Sequence, residues 1–402
     1  MNYKKHRNSV VHLLMLSKIQ FYNAYFQEHK KNAKRTWDGI KAIININKKS
    51  KTYPSKLLDL NNKLKTTPES IANAFNDYFS SVGNSIDSRI RNAPKSFRDY
   101  MPSCANDSLY LKPTDTTEIF EIISSLITST ATGPHSIPTK ILKIGSSLLA
   151  APISLIVNQS FKQGIFPDAL KLAKVIPVYK SGSKEICSNY RPISLLSNLS
   201  KIIEKATYTR LYEFFERSHF IYDLQFGFRK QHSTEHALLN LTIQVYDIMD
   251  RGDFACCLFL DLQKAFDTVN YKILLQKLEV YGVRGVCLSW FSSYLNGRKQ
   301  YVAVDDAISS TSIAIVGVPQ GSILGPLLFL IYINDFHRCL SSGVAQHFAD
   351  DTAIVFNNSS LNKMKSSMSC EITKIEDWLC ANRLSLNAAQ TEALLFRPKN
   401  KS

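Results

Sequence analysis

The sequence has no apolar stretch long enough to cross a bilayer. Its longest runs, Leu148 to Val157 and Leu324 to Ile333, reach about ten residues, against the roughly 18 or more that a spanning helix takes. No membrane helix is expected. A secretory leader is not expected either: basic residues precede an apolar run at the N-terminus, but His12 and Ser17 cut that run and no small-residue cleavage site follows. C-x-x-C spacing is missing, and of the 8 cysteines only Cys256 and Cys257 are adjacent. That excludes a disulfide scaffold and a zinc knuckle, and fits buried free thiols in a reducing compartment. Internal repeats and low-complexity tracts are absent. Acidic residues are scarce at the start. Residues 1 to 65 hold 15 Lys and Arg against 3 Asp and Glu, which accounts for +12 of the formal charge of +16.

What is present is a chain of 402 residues, 45% hydrophobic and 11% aromatic, enough to bury a sizeable core and to exclude disorder throughout. At about 100 to 200 residues per domain it holds two to four domains. A basic block neutralises phosphates and releases counterions, which favours nucleic acid; a solvated basic helix face is the plainer reading.

Residues 10 to 45 carry Leu13, Leu16, Tyr22, Phe26 and Trp37 among frequent Lys and Arg, which predicts one or two basic helices. A polar linker, Asn47 to Lys65, follows. Thr67 and Pro68 before Ile71, Phe75, Phe79 and Val82 predict a short amphipathic helix. Asp115 and Glu118 form a capping-box pattern before another. Ser88 to Ser108, with Pro94 and Pro102, reads as a linker, and a boundary is expected near residue 105. Beyond it, Lys174 to Tyr179 and Tyr190 to Leu196 predict a hairpin projecting basic residues. Helices are expected over Leu199 to Phe215 and Glu235 to Asp250. Phe254 to Leu262 reads as an apolar strand ending at a carboxylate. Met364, Ile372, Ile375, Trp378 and Leu379 form a core-facing helical stripe, and strands interleaved with helices point to a mixed α/β or α+β domain.

The strongest chemical signal is Phe348-Ala349-Asp350-Asp351-Thr352, two consecutive acids inside an apolar run. Neighbouring strand residues face opposite sides, so both acids reach one site only at the tip of a tight turn. Two carboxylates placed so close are costly unless cations neutralise them, and divalent metals with oxygen ligands are the usual answer. An ordinary turn-forming Asp is the alternative. Asp261 ends the apolar run Cys257 to Leu260 and is a third candidate ligand, or a helix cap. Three such acids from two strands would hold two metals roughly 3.5 to 4 Å apart, the clamp used in phosphoryl transfer. Asp267 reads as a cap or a structural pair. In Val316-Gly317-Val318-Pro319-Gln320-Gly321-Ser322, backbone groups freed by Gly321 and the amide of Gln320 could approach a nucleotide; a plain strand-to-helix turn accounts for the same residues.

In order, Asn189-Tyr190-Arg191-Pro192-Ile193-Ser194-Leu195-Leu196, Gln225-Phe226-Gly227-Phe228-Arg229, Ser233-Thr234, Phe259-Leu260-Asp261-Leu262 through Ala265-Phe266-Asp267-Thr268-Val269, Gly317 to Ser322, Leu324-Gly325-Pro326-Leu327-Leu328-Phe329, Tyr332-Ile333-Asn334-Asp335 and Phe348 to Thr352 form a set. As a set, over residues 110 to 397, it resembles the reverse transcriptase of non-LTR retrotransposons of the jockey and chicken-repeat type, LINE elements. The resemblance implies an α+β fold: polymerase right-hand fingers and palm, an antiparallel sheet packed on helices, preceded by a mostly helical basic extension. Residues 1–105 would be that extension and 106–402 the fingers and palm. It implies an RNA-directed DNA polymerase whose catalytic and metal-binding residues are Asp261, Asp350 and Asp351. Two Mg²⁺ ions, or Mn²⁺, would activate a primer 3′-hydroxyl for in-line attack on the α-phosphate and steady pyrophosphate. Phe266 matches the aromatic gate against the sugar of the incoming nucleotide, which would exclude a 2′-hydroxyl. Gln320 and Gly321 would line the nucleotide pocket, Lys180 and Arg191 would contact the triphosphate, and Arg229 the template backbone. The partners implied are an RNA template, a DNA primer and dNTP, without a membrane, in a cytoplasmic ribonucleoprotein or the nucleus; oligomeric state is not implied.

The chain departs from the family pattern in four ways. Gln390, in Asn387-Ala388-Ala389-Gln390-Thr391, stands where the family usually has the Lys thought to protonate departing pyrophosphate. Glutamine is no general acid near neutral pH, so slower turnover is expected. His135 replaces a common Asp, and Tyr271 a frequent His. The chain begins at the basic linker that in the family follows an endonuclease and stops at Ser402, where a thumb would continue. Without a thumb to hold the duplex, processive synthesis is expected to be limited. The competing expectation is an inactive, truncated nucleic-acid-binding remnant. His232 and His236, four apart, have no acid or cysteine partner and are expected to be structural or to touch template.

Overall fold

The basic and apolar residues near the start form two helices, α1 (Asn2–His29) and α2 (Ala33–Ile43). The Tyr25 ring meets that of His29 at 4.6 Å and its hydroxyl donates to the Arg35 carbonyl at 3.0 Å, which ties the pair together. The computed structural model describes residues 2–30, 32–43, 53–128 and 132–398. The chain divides into two compact units, 1–54 and 55–402. The first part of the expected Asn47 to Lys65 linker lies outside the described residues.

In the second unit the order is β1 (Leu57–Leu58), β2 (Leu64–Lys65), α3 (Pro68–Asp87), α4 (Thr116–Ser125), α5 (Thr139–Ile144), α6 (Ser146–Gln163), β3 (Leu172–Tyr179), β4 (Tyr190–Leu195), α7 (Asn198–Arg217) and α8 (Thr234–Asp250). Then come β5 (Phe254–Leu260), α9 (Tyr271–Val280), α10 (Gly285–Leu295), β6 (Arg298–Val304), β7 (Ala307–Ile308), β8 (Ser312–Ala314), α11 (Leu324–Ile333), β9 (Val344–Phe348), β10 (Asp351–Asn358), α12 (Leu361–Ala381) and β11 (Glu392–Phe396). This is the expected α+β fold.

Two larger sheets organise it. One is antiparallel, in the order β11-β5-β10-β9; the other runs β4-β3-β6-β7, with β8 also on β6. Its β3–β6 pair is parallel and its β3–β4 pair is the predicted basic hairpin. Helix α11 is apolar all round and is accordingly buried along nearly its whole length. Under it, Lys277 and Asp335 form an ion pair sealed from solvent; Trp378 Nε1 donates to the other Asp335 oxygen at 3.1 Å and Lys277 Nζ to the Tyr332 carbonyl at 2.6 Å.

The Thr67 cap holds as read. Its hydroxyl accepts from Ser70 N at 3.3 Å while Ser70 Oγ accepts from Thr67 N at 3.2 Å, with Pro68 at the first helical position. Asp115 also caps, accepting from Glu118 N at 2.7 Å. The return arm of that box is missing, because Arg210 takes both Glu118 oxygens, at 2.7 and 2.9 Å.

The expected division near residue 105 and the observed units differ over residues 55–105. Phe75, Phe79 and Val82 of α3 are buried in the second unit, and the Asn76 amide donates to Ser310 O and Ser312 Oγ, each at 2.8 Å. The stretch expected to be a linker, Ser88 to Ser108, carries the buried Phe97 and Tyr100, and Ala105 N donates to Val280 O at 2.9 Å. Its prolines and charges interrupt helix formation without freeing the chain. On α12, Met364, Ile375, Trp378 and Leu379 face the core as read, but Ile372 is 45% exposed, one position off that face. All eight cysteines are free and six are buried; Cys104 and Cys370 are exposed. Among the described residues no helix is long and apolar enough to cross a membrane.

Candidate active site

Phe348 pairs with Asp351 across a hairpin whose turn is Ala349 and Asp350. Ala349 takes φ +59°, a left-handed conformation that needs outside support. Gln225 supplies it: its Oε1 accepts from Ala349 N at 3.0 Å and from Gly227 N at 2.8 Å. Phe226 N donates to His347 O at 2.8 Å and His347 N to Leu224 O at 2.9 Å. The Gln225 to Arg229 motif therefore braces the acidic turn from the side.

On the other side, β5 pairs with β10 so that Leu260 lies opposite Thr352. Asp261 and Asp351 follow that rung, one on each strand, with Asp350 at the turn beside them. Burial raises the Asp350 pKa, and the charges of Asp351 and Asp261 push it further; Arg191 works against them. Asp351 is raised by burial and then by Asp261, with Lys180 and Arg191 opposing. Lys180, Asp261, Phe348, Asp351 and Gln390 line a cleft of about 590 Å³. Among the described residues no three His, Cys, Asp or Glu side chains stand close enough to hold a metal ion as they are. The acids share the end of the sheet, then, but not a coordination sphere. Their chemistry still fits a divalent cation: three hard oxygen donors, two of them made harder to ionise by burial and then by their neighbours' charge.

Lys180 and Arg191 lie on the β3–β4 hairpin, whose end is closed by Lys180 N donating to Asn189 O at 2.8 Å. Both are exposed. Phe266 stacks on Phe329 with ring centroids 4.6 Å apart and meets Phe228 edge-on at 6.2 Å. It is partly buried, so it packs on the core and still presents surface.

Gln320 is not free to reach outward. Its Nε2 donates to Asp267 Oδ1 at 2.8 Å, and its carbonyl accepts from Ser194 N at 2.7 Å. Gly321, at φ +119°, lies against the Ser194 carbonyl where a Cβ would come within 2.6 Å. Asp267 thus pairs structurally, one of its two expected roles. Its Oδ2 is sealed from solvent without a hydrogen-bond partner, and burial pushes the carboxyl up to about 6 despite Gln320 and Lys264. A cavity of about 50 Å³ behind this turn is lined by Phe79, Gly83, Ser194, Asp267 and Gln320.

Arg229 differs from the expectation. Its Nε and Nη2 grip the two Glu216 oxygens, each at 3.1 Å, and Nη1 donates to Tyr222 O at 3.2 Å. A guanidinium so engaged braces the loop after α7 and has little left for a template phosphate. His232 Nδ1 lies 2.9 Å from the Lys230 carbonyl, and neither it nor His236 joins a metal-holding group among the described residues.

Three residues in the site were not singled out from sequence. Gln225 holds the acidic turn. Lys264, at φ +49°, sends Nζ to the carbonyls of Ser188 and Tyr190 at 3.0 and 3.3 Å, holding the turn end of the hairpin. Asn387 donates through Nδ2 to Asp261 Oδ2 and to Gln390 Oε1, each at 2.6 Å, and through its backbone N to Asp261 O at 2.8 Å. Gln225 and Asn387 lie inside quoted motifs, but the residues they hold in the site, Ala349 and Asp261, are more than a hundred residues away in sequence.

The reverse transcriptase (RNA-dependent DNA polymerase) family profile matches residues 178–401. A probable RNA-directed DNA polymerase from transposon BS of Drosophila melanogaster is 30% identical over 298 residues, covering 71% of this chain and 32% of that protein. The RNA-directed DNA polymerase from mobile element jockey of Drosophila funebris is 28% identical over 292 residues, with the same two coverages of 71% and 32%. A probable RNA-directed DNA polymerase from transposon X-element of Drosophila melanogaster is 27% identical over 310 residues, 76% of this chain and 34% of that protein. The chain spans about a third of the length of these curated relatives. With a family match over more than half its residues, the chain belongs to the reverse transcriptase (RNA-dependent DNA polymerase) family.

Proposed function

We propose that this chain is the fingers and palm of an RNA-directed DNA polymerase, adding dNTP to a DNA primer 3′-hydroxyl as directed by an RNA template. The observation that carries it is the register that puts Asp261 and Asp351 after one rung, with Asp350 on the adjoining turn. Mg²⁺, or Mn²⁺ in its stead, held by Asp261, Asp350 and Asp351 would supply the positive charge that activates the attacking oxygen and neutralises the leaving one.

The chain's own residues do the rest. Lys180 and Arg191 bring positive charge toward the same acids and suit the triphosphate. Phe266, propped on Phe329, forms the wall that excludes a 2′-hydroxyl. Gln320 and Gly321 shape the pocket through the turn tied to Asp267 and Ser194. The basic helices of residues 1–54 bind RNA or DNA backbone, without sequence preference. Such an enzyme works in a ribonucleoprotein, in the cytoplasm or the nucleus.

Gln390, where the family has Lys, favours a second reading: a remnant that binds nucleic acid without polymerising. Primer extension on an RNA template with Mg²⁺ separates the two. Incorporation by the chain, lost in Asp350→Ala at nearly unchanged RNA affinity, supports the polymerase; binding without incorporation supports the remnant.

A further inference from the structure

We infer that Asn387 is the residue that aims the Asp261 carboxylate, and that Gln390 in turn aims Asn387. The inference rests on the proposed cation-binding role of Asp261.

An ionised carboxylate only accepts, so Asn387 must turn its NH₂, not its carbonyl, toward Asp261 Oδ2. That NH₂ carries two protons. One goes to Asp261 at 2.6 Å; the other goes to Gln390 Oε1, also at 2.6 Å. Gln390 therefore takes the second proton and steadies the amide in the orientation that Asp261 requires. The backbone repeats the grip: Asn387 N donates to Asp261 O, and Gln263 N to Ser385 O, both at 2.8 Å.

The loop that carries Asn387 is itself held. Gln390 N and Thr391 Oγ1 both return to the Asn387 carbonyl at 3.0 Å, and Arg383 at the loop's start pairs with Asp87 at the end of α3. Asn387 is thus a splint between a fixed loop and the end of β5. It engages Oδ2 of Asp261 through one lone pair and leaves Oδ1 free for a cation.

The same geometry gives meaning to the glutamine. A lysine at position 390 has three donors and no acceptor, so it could not take the second Asn387 proton. Glutamine at 390 completes a neutral chain of hydrogen bonds that ends on Asp261. Partners of this kind, one step behind a metal ligand, typically change metal affinity by about 10- to 100-fold when removed.

The test is Mn²⁺ binding to the 402-residue chain, followed by electron paramagnetic resonance without nucleotide, so that no turnover enters the readout. Asn387→Leu should weaken Mn²⁺ binding by about tenfold or more. Gln390→Met, at an exposed position that leaves the fold intact, should weaken it by a smaller factor. Gln390→Glu keeps the acceptor oxygen and adds a negative charge to the same cleft, so its affinity should not fall below that of wild type. Asp261→Asn serves as the reference. If it loses Mn²⁺ while Asn387→Leu and Gln390→Met both bind like wild type, the positioning role is overturned. If Asp261→Asn itself binds like wild type, the cation reading beneath it fails instead.

Discussion

Asp261 and Asp351 are cross-strand neighbours, each one residue past the Leu260–Thr352 rung. Both acids line one cleft, and a one-residue slip of this register would turn one strand's side chains to the other face of the sheet. Their mutual repulsion is part of what raises Asp351.

That crowding has a cost in stability whose sign is fixed. A carboxylate whose folded pKa is raised stabilises only while protonated, and the contribution is lost as pH rises through the folded value. Asp350→Asn and Asp351→Asn should therefore melt higher than wild type at pH 7 without metal, while dNTP incorporation disappears. The difference in melting should shrink below the carboxylate range. Thermal melts across pH, with and without Mg²⁺, check this; Mg²⁺ should raise the wild-type midpoint only.

Phe266→Val should relax sugar discrimination. The smaller side chain opens the wall, and ribonucleotide incorporation relative to deoxynucleotide should rise by about ten- to a hundredfold. Steady-state kcat/KM with paired dNTP and rNTP measures it; an unchanged ratio would leave Phe266 as core packing against Phe329.

The Asp267–Gln320 pair predicts a pH effect away from the acids. Asp267 is pushed up to about 6 from 3.8, so its protonated form stabilises the fold below about pH 4 and that contribution drains away by about pH 6. Asp267→Asn should remove this slope and add on the order of 3 kcal/mol at pH 8. Asp267→Ala should free Gln320 and raise the KM for dNTP more than it lowers kcat. Urea unfolding at two pH values and a KM measurement decide both.

How much of this was legible beforehand follows from what kind of contact each feature needs. Helices, the basic hairpin and the acidic turn are local: Thr67 with Pro68, the alternation around Tyr190, and Asp350 after Ala349 each announce themselves within a few residues. The convergence of Asp261 on that turn was expected because an apolar run ending in an acid recurs. Arg229 is a case in point: a cation in a motif gives no sign of the Glu216 carboxylate that pairs with it. Residues 55–105 were set apart because prolines and charges resemble a linker, whereas Phe97, Tyr100 and the Asn76 amide find partners far along the chain.

Those partners make α3 a brace. A Cβ on Gly83 would stand 2.3 Å from the Asp267 carbonyl oxygen and 2.5 Å from Val316 Cγ2. Gly83→Val should cost about 1 to 3 kcal/mol and raise the dNTP KM by shifting the Gln320 turn. A chain starting at residue 106 should fail to unfold cooperatively, whereas one starting at 55 should retain a cooperative transition; denaturant melts of the two show it.

Under α11, Lys277→Met leaves Asp335 in a sealed site without its counter-charge. A loss of about 3 to 5 kcal/mol is expected, and the double change Lys277→Met with Asp335→Leu should recover much of it. Chemical unfolding of both variants tests the pair.

The central claim is that Asp261, Asp350 and Asp351 form one cation-binding centre. Anomalous diffraction from crystals of the chain with RNA–DNA template-primer, dNTP and Mn²⁺ tests it most directly. The account predicts Mn²⁺ peaks within coordination distance of Asp261 and of the Asp350–Asp351 turn, beside the primer terminus. Mn²⁺ bound elsewhere, with these three carboxylates unliganded in a complex that holds primer and dNTP, would contradict it.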